Sequence, residues 1–208
     1  MAPAQQPSTQ SPPPHGLAYP PSLESYNLPM RAWLAANEKT WDGLATSALV
    51  FDRRDRDRVL LLQRAAHDSM PLRWEAPGGA VDDGDASVLA ACARELREET
   101  GLEAVRVVRV VSEGAGIEPG SFLTNRTGTR VMRRFAFEVE VAAARDGDGG
   151  DGEMVVRTDP EEHADHVWAT EEEVARERVG EKDIPITNAQ MASLILDGFR
   201  RRREDGVC

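Results

Sequence analysis

The chain has 208 residues, of which 36 are acidic and 25 are basic, and its formal net charge at pH 7 is −11. This length suits one α/β domain with flanking segments, and the acidic balance argues against general affinity for nucleic acid. The sequence contains no run of about 18 consecutive apolar residues, so a membrane span is not expected.

The amino-terminal segment begins with MAPAQQPSTQSPPPHG, which is rich in Pro, Gln and Ser. Such a composition buries little apolar surface, so residues 1–17 are predicted to form a disordered tail. The segment lacks the basic start and apolar run of a secretory signal and the Arg enrichment of a transit peptide. Residues 18–40 are predicted to form an arm or short helix packed on a domain over residues 41–203, and residues 204–208 a carboxyl-terminal tail.

Two strands are predicted next, over residues 44–51 and 59–63, where the sequences LATSALVF and VLLLQ are dominated by apolar residues. A polar turn over residues 52–57 would join them. Arg64 follows the second strand, at a position from which it can contact a phosphate or form an ion pair with a neighbouring acid.

The most informative stretch, residues 77–102, reads PGGAVDDGDASVLAACARELREETGL. The glycine turn, residues 77–79 (PGG), allows the backbone to approach a ligand closely, because no Cβ is in the way. A helix is predicted over residues 87–100, with Asp85 or Ser87 as its N-cap and Gly101 at its left-handed end.

Three glutamates fall on one face of this helix. Glu95, Glu98 and Glu99 occupy positions i, i+3 and i+4, which share a sector of roughly 100°. Like charges at this spacing repel one another, so a cation is expected to gather them, and oxygen ligands suit a hard divalent ion. A solvated acidic helix face is the alternative interpretation, but the glycine turn before the helix and the glycine after it favour a site.

The two cysteines, Cys92 and Cys208, do not form a disulfide framework. Cys92 lies on the predicted buried face of the helix and is interpreted as a structural thiol. A reducing, cytoplasmic compartment is the simplest location for such a chain.

Five further elements are predicted: strands over residues 105–111, 131–141 and 166–169, and helices over residues 170–178 and 188–203. The segment DGDGGDG, residues 146–152, echoes calcium-binding loops but lacks their ligand spacing and closing Glu, so it is interpreted as the end of a hairpin. Strands with helices on their faces indicate an α/β fold.

The glycine turn and the run RELREETGL together resemble the signature of the Nudix, or MutT-like, hydrolases. That signature reads Gly, five residues, Glu, seven residues, then Arg-Glu-apolar-x-Glu-Glu-x-Gly-apolar. The second half matches at every fixed position from Arg94 to Leu102. The first half departs twice, because Asp85 stands where Glu is usual and eight residues separate it from Arg94. With this extra residue, the stretch resembles a subgroup of Nudix proteins common in filamentous fungi.

The resemblance implies a Nudix-like α/β/α sandwich with a mixed β-sheet and metal-dependent hydrolysis of a diphosphate linkage. The implied ligands of Mg²⁺ or Mn²⁺ are the Gly78 carbonyl and the carboxylates of Glu95, Glu98 and Glu99. Ions bound there would lower the pKa of a bound water and stabilise charge on the attacking and leaving oxygens. Arg94 is expected to orient the carboxylates.

A further acid is expected from a later loop, where several family members place one. Glu161 and Glu162 are the candidates for this general base, with a solvated loop as the alternative interpretation. Arg64 and Glu162 are the candidate substrate-binding side chains.

The favoured substrate is a nucleoside diphosphate linked to another moiety, of the ADP-ribose or nucleotide-sugar type. Family members that act on ADP-ribose often carry a proline about sixteen residues beyond the signature, and Pro119 lies seventeen beyond Leu102. Aromatic residues make up 5% of the chain, so no platform for a stacked base can be assigned. A non-nucleotide diphosphate, such as a prenyl diphosphate, is therefore an alternative.

Two other functional classes stay open. One is a catalytically silent Nudix-like domain that binds a ligand, and the other is an interaction protein that acts through Pro12–Pro14 in a polyproline helix. The expected partner is a small-molecule diphosphate, and a homodimer is considered as an assembly. Nucleic acid and membrane are not expected partners.

Overall fold

The computed structural model describes residues 16–52, 54–55, 57–124, 127–142 and 154–206. The sequence predictions that fall wholly or partly outside these ranges concern residues 1–17, residues 204–208, the turn over residues 52–57, the loop over residues 146–152, Pro12–Pro14 and Cys208. In the described part of the chain, no helix is both long enough and apolar enough to cross a membrane.

The secondary structure of the described residues alternates between strands and helices. The strands are β1 (Gly43–Leu49), β2 (Arg58–Arg64), β3 (Trp74–Glu75), β4 (Ala104–Val111), β5 (Ser121–Thr124), β6 (Val131–Val141), β7 (His163–Thr170), β8 (Arg178–Val179) and β9 (Lys182–Asp183). The helices are a 3₁₀ helix (Pro21–Tyr26), α1 (Met30–Ala36), α2 (Val88–Thr100), α3 (Glu171–Ala175) and α4 (Ala189–Glu204).

The strands form two larger sheets and a small hairpin. In the first sheet β1 lies parallel to β6, and both β4 and β5 pair antiparallel with β6, so this sheet is mixed. In the second sheet β2 lies between β3 and β7, with both pairs antiparallel. A bridge between Phe51 and Val59 links the two sheets.

Helices cover both faces of this strand layer. Leu44 of β1 shares one buried cluster with Leu96 of α2, whereas Leu49 of β1 shares the other cluster with Leu194 of α4. This alternation along β1 follows from the opposite directions of successive strand side chains. The predicted α/β/α sandwich with a mixed sheet is therefore the fold that the chain adopts.

Helix α2 begins and ends as its sequence predicts. The Ser87 hydroxyl accepts a hydrogen bond from the Ala90 N–H at 3.0 Å, and Gly101 ends the helix with φ of +71°. Ser87, rather than Asp85, is therefore the N-cap. Cys92 is 1% exposed, and burial raises the pKa of its thiol to about 12, as expected of a structural cysteine.

The helix predicted over residues 170–178 is wrong in length, because α3 ends at Ala175. Its start is fixed by a capping box between Thr170 and Glu173. After the helix, Glu177 has φ of +52°, a conformation that an α-helix cannot contain, and the chain turns into the β8–β9 hairpin. The strand predicted over residues 166–169 is also longer than expected, since β7 begins three residues earlier.

The segment before β1 packs on the same cluster as α2. Leu23 is 1% exposed and Trp33 is 5% exposed, and the Tyr26 ring lies edge-on to Phe137 with 5.3 Å between centroids. Leu17, at the end of the predicted tail, is itself 8% exposed. The packed part of this arm therefore includes Leu17.

Shortening a side chain of the arm should destabilise the whole fold. Leu23→Ala is expected to lower the free energy of unfolding by about 2–5 kcal/mol, because it leaves a cavity in the main cluster. Urea denaturation measures this, with Leu72→Ala as the matched change at a side chain that is 47% exposed. Equal effects of the two substitutions would contradict the packing described for the arm.

Candidate active site

Glu99 is the most buried of the three glutamates on α2, at 6% exposure. Its Oε2 accepts the Gly78 N–H at 2.7 Å. Gly78 has φ of +150°, and a Cβ on it would overlap the Thr46 carbonyl of β1. The glycine is therefore required for this loop to run between β1 and the helix.

Glu95 and Glu98 share a different partner, Arg94. Its Nη1 donates to Glu95 at 2.8 Å and to Glu98 at 2.9 Å. Its Nε and Nη2 each donate to Asp85 at 2.9 Å, and Nη2 also donates to the Ala80 carbonyl at 3.0 Å. One guanidinium thus fixes two of the three glutamates and the turn that precedes the helix.

The glycine turn lies directly against these carboxylates. A Cβ on Gly79 would come within 2.5 Å of Glu95 Oε2, so the close approach depends on glycine. The carbonyls of Pro77 and Gly79 accept N–H groups of β1. Within the described residues the Gly78 carbonyl accepts no hydrogen bond, which leaves it available as a ligand.

Burial and neighbouring charges oppose ionisation of Glu99. Its pKa is raised to about 8, chiefly by burial, although the Gly78 N–H acts in the opposite direction. The charges of Glu95, Glu75 and Glu162 contribute to the increase. The pKa of Glu95 is also raised, chiefly by burial. A divalent cation beside these side chains would favour their ionised forms.

Glu99 also lies close to Glu162, which precedes β7, and to His163, the first residue of β7. One ligand atom from each of Glu99, Glu162 and His163 lies within 4.8 Å of the others. His163 is 5% exposed, and its Nε2 lies 3.8 Å from Glu99 Oε1. Burial, and then the charge of Arg64, lower the pKa of His163 to about 4, so the imidazole is neutral.

Two arginines lie close to this cluster, and they differ in whether they form ion pairs. Arg64 is paired with Asp68 at 2.7 Å and with the buried carboxylate of Glu75, so it already has two acidic partners. Arg134 of β6 has no ion pair among the described residues, and its buried Nε has no hydrogen-bond partner. Burial lowers the pKa of Arg134, whereas the charges of Glu75 and Glu99 act in the opposite direction.

No motif of the sequence includes His163 or Arg134. Each is brought to the cluster by strand pairing, since His163 lies opposite Arg64 and Arg134 lies opposite Ala45. Because these contacts join residues far apart in the chain, local spacing carries no signal for them.

The donor set fits a divalent cation. Glu95, Glu98 and Glu99 offer carboxylate oxygens, Gly78 offers a carbonyl, and such oxygens are the ligands of Mg²⁺ and Mn²⁺. Glu99 Oε1 accepts no hydrogen bond within the described residues, so one oxygen of the most buried glutamate is free to bind an ion.

Residues 42–190 match the NUDIX domain family. The chain belongs to the Nudix family. The match covers well over half of the sequence, and it confirms the family that the glycine turn and the glutamate run indicate.

Curated relatives match this Nudix protein over shorter regions. An RNA pyrophosphohydrolase of Bartonella quintana is 31% identical over 78 residues, covering 35% of this chain and 44% of that protein. The uncharacterized Nudix hydrolase NudL of Escherichia coli is 47% identical over 66 residues, covering 28% of this chain and 32% of that protein. The chain therefore spans less than half the length of these relatives.

Solved structures confirm the fold. The MutT protein of Methanosarcina mazei Go1 has a TM-score of 0.52 at 22% identity, covering 78% of this chain and 94% of that one. An Ap4A hydrolase of C. elegans has a TM-score of 0.54 at 18% identity, covering 78% of this chain and 98% of that one.

The buried Glu99 should make the metal-free protein less stable as the pH rises. Its folded-state pKa of about 8 lies above the ordinary 4.5, so the folded protein retains a proton that the unfolded chain releases between these values. Stability should fall by up to about 1.4 kcal/mol per pH unit across that window. Glu99→Gln should remove this part of the pH dependence.

Urea unfolding in chelator between about pH 5 and pH 8 measures this effect. Glu172→Gln is the control, because Glu172 is an exposed acid of α3. Parallel pH profiles for the wild type and Glu99→Gln would show that Glu99 is not a destabilising buried acid.

Arg94→Lys should weaken metal binding while keeping the positive charge. A lysine ammonium cannot bond Asp85, Glu95 and Glu98 at once with the geometry of a guanidinium. Loss of such an orienting contact lowers metal affinity about 10- to 100-fold. Calorimetric titration with Mn²⁺ tests this, with Arg97→Lys on the exposed face of the same helix as the control. An affinity unchanged from wild type would exclude an orienting role for Arg94.

Proposed function

We propose that this chain hydrolyses the diphosphate linkage of a nucleoside diphosphate joined to another moiety, with Mg²⁺ or Mn²⁺ as cofactor. The observation that carries the proposal is the position of two glutamates of α2 against the glycine turn, with Glu99 bonded to the Gly78 N–H and Glu95 in contact with Gly79. Glu98 lies further out on the same helix, where it shares Arg94 with Glu95. Membership of the Nudix family supports this class of reaction. The intact set of glutamates favours it over a catalytically silent, ligand-binding domain.

The proposed metal ligands are the Gly78 carbonyl and the carboxylates of Glu95, Glu98 and Glu99. When bound, such ions supply positive charge to the oxygens of a diphosphate and acidify a water molecule. Arg94 maintains the orientation of Glu95 and Glu98 through the hydrogen bonds described above. These two carboxylates are thereby held in place before substrate arrives, and such preorganisation is what electrostatic catalysis requires.

Glu162 is the proposed acceptor of the proton from the attacking water. It is exposed and lies beside Glu99, so its carboxylate can reach solvent and the metal ligands from the same position. Glu161, the other candidate, hydrogen bonds through its backbone N–H to Asp159 and is not part of the cluster with Glu99 in the described residues.

Positive charge near the site would assist an anionic substrate in a chain whose net charge is −11. Arg64 is the candidate that the sequence indicates for a contact with phosphate. Its two acidic partners would have to be displaced for it to bind phosphate. Arg134 has no ion pair among the described residues, so a phosphate could contact it without displacing a carboxylate. We assign the phosphate contact to Arg134 first and to Arg64 second.

A nucleotide-linked diphosphate remains the first choice of substrate. The name of the Bartonella quintana relative specifies RNA as the substrate of that protein, and Pro119 follows the signature at nearly the spacing typical of ADP-ribose hydrolases. ADP-ribose and nucleotide sugars are accordingly the leading candidates here. A prenyl diphosphate is the non-nucleotide alternative.

Product release from a panel of diphosphates tests the reaction and its substrate class together. The panel contains ADP-ribose, nucleotide sugars, dinucleoside polyphosphates, oxidised nucleoside triphosphates, coenzyme A and prenyl diphosphates. Cleavage should require Mg²⁺ or Mn²⁺ and stop in chelator, and Glu99→Gln should lower turnover at least about 10²-fold. Glu172→Gln should retain wild-type turnover.

Two results would contradict the proposal. One is an unchanged rate in each of Glu95→Gln, Glu98→Gln and Glu99→Gln, which would exclude the site. The other is metal binding without cleavage of any member of the panel, which would favour the ligand-binding alternative.

A further inference from the structure

His163 is a buried histidine whose imidazole makes no hydrogen bond within the described residues. It is 5% exposed, and its Nδ1 is buried without a partner. Its Nε2 lies 3.8 Å from Glu99 Oε1, which is beyond hydrogen-bonding distance. Buried polar atoms normally have a partner. Within the described residues Nε2 also makes no hydrogen bond, so the nitrogen that faces Glu99 is available to a ligand.

The surroundings of His163 contain oxygen donors that also lack partners. Glu99 directs Oε2 to the Gly78 N–H and leaves Oε1 facing the imidazole. Glu162, the preceding residue on the chain, is exposed and contributes a third donor atom within 4.8 Å of the other two. The cluster therefore contains one imidazole nitrogen and two carboxylates.

The spacing of these donors suits one metal ion. Bonds from first-row transition ions to nitrogen and oxygen are about 2.0–2.2 Å long, so two donors on the same ion lie roughly 3–4.4 Å apart. The 3.8 Å separation between His163 Nε2 and Glu99 Oε1 falls in this range. Rotation of the exposed Glu162 side chain can bring its oxygen to the same distance.

We propose that His163, Glu99 and Glu162 form a mixed nitrogen–oxygen site that prefers a first-row transition ion, such as Co²⁺ or Zn²⁺, over Mg²⁺. The proposal deepens the proposed function, on which it rests for the use of the ion in hydrolysis. Glu162 would bind the ion through one carboxylate oxygen, which leaves the other oxygen as the proton acceptor. The site shares Glu99 with the ligands on α2, but its imidazole distinguishes it from that all-oxygen set.

The preference follows from the chemistry of the donors. Mg²⁺ takes oxygen ligands in near-ideal octahedral geometry and is seldom bound by imidazole. Imidazole suits zinc, iron, nickel and copper, and the affinity of a given site rises from Mn²⁺ through Co²⁺ towards Cu²⁺. A buried imidazole beside a carboxylate therefore selects against Mg²⁺ at this position.

Co²⁺ binding to the full-length, metal-free protein tests the proposal without measuring hydrolysis. His163→Asn should lower the affinity of one Co²⁺ site at least about 10-fold and leave the Mg²⁺ affinity within about 3-fold of wild type. The control is His166→Asn, since His166 lies on the same strand outside the cluster and should bind both ions as the wild type does. Equal unfolding midpoints of the metal-free proteins would show that the variants fold.

Proton NMR distinguishes the binding of an ion by His163 from a role of His163 in packing alone. An imidazole bound to Co²⁺ should give a strongly shifted exchangeable ring N–H resonance in the proton NMR spectrum. This resonance should be present in the wild type and His166→Asn and absent in His163→Asn. Absence from the wild type, or persistence in His163→Asn, would overturn the proposal.

The test also distinguishes this proposal from the proposed function. Metal-dependent hydrolysis without the shifted resonance would leave the hydrolase intact and remove the imidazole ligand. The shifted resonance without hydrolysis of any panel member would establish the mixed site and contradict the proposed hydrolysis of these diphosphates.

Discussion

The hydrogen bond from the Gly78 N–H to Glu99 is the contact on which the rest of the site depends. It holds the glycine turn against α2. The turn lies between the helix and β1, where a Cβ on Gly78 would overlap the Thr46 carbonyl. The same bond occupies one oxygen of Glu99 and directs the other towards β7. The glycine turn and α2, which are neighbours in the sequence, and β7, which is distant from both, are thereby brought to one carboxylate.

This arrangement divides the glutamates of α2 into two groups with different electrostatic surroundings. Glu95 and Glu98 have Arg94 as a neighbouring cation, although they share its single charge with Asp85. Glu99 is buried among other acids and receives only one N–H, so burial raises its pKa to about 8. Binding a cation would relieve this unfavourable state, and metal affinity and folding stability are therefore coupled through the same side chain.

The sequence specified the parts of the site that are local in the chain. The spacing of Glu95, Glu98 and Glu99, the cap at Ser87 and the stop at Gly101 all follow from rules that operate within a few residues. Asp85 occupies the usual position of an acid in the family signature. Its contact with Arg94 depends on the conformation of the turn between Asp82 and Asp85, which the spacing does not specify. His163 and Arg134 could not be found in this way, because strand pairing places them. The short strands β3 and β5 have too few residues to show a periodic pattern.

The proposed function requires a metal centre at the carboxylates of α2 and the glycine turn. Anomalous diffraction from crystals of the full-length protein soaked in Mn²⁺ locates the ions directly. We expect at least one strong peak within about 2.0–2.6 Å of carboxylate oxygens of Glu95, Glu98 or Glu99 and of the Gly78 carbonyl. Peaks confined to other parts of the surface, with the carboxylates still paired to Arg94 and Gly78 alone, would contradict the account.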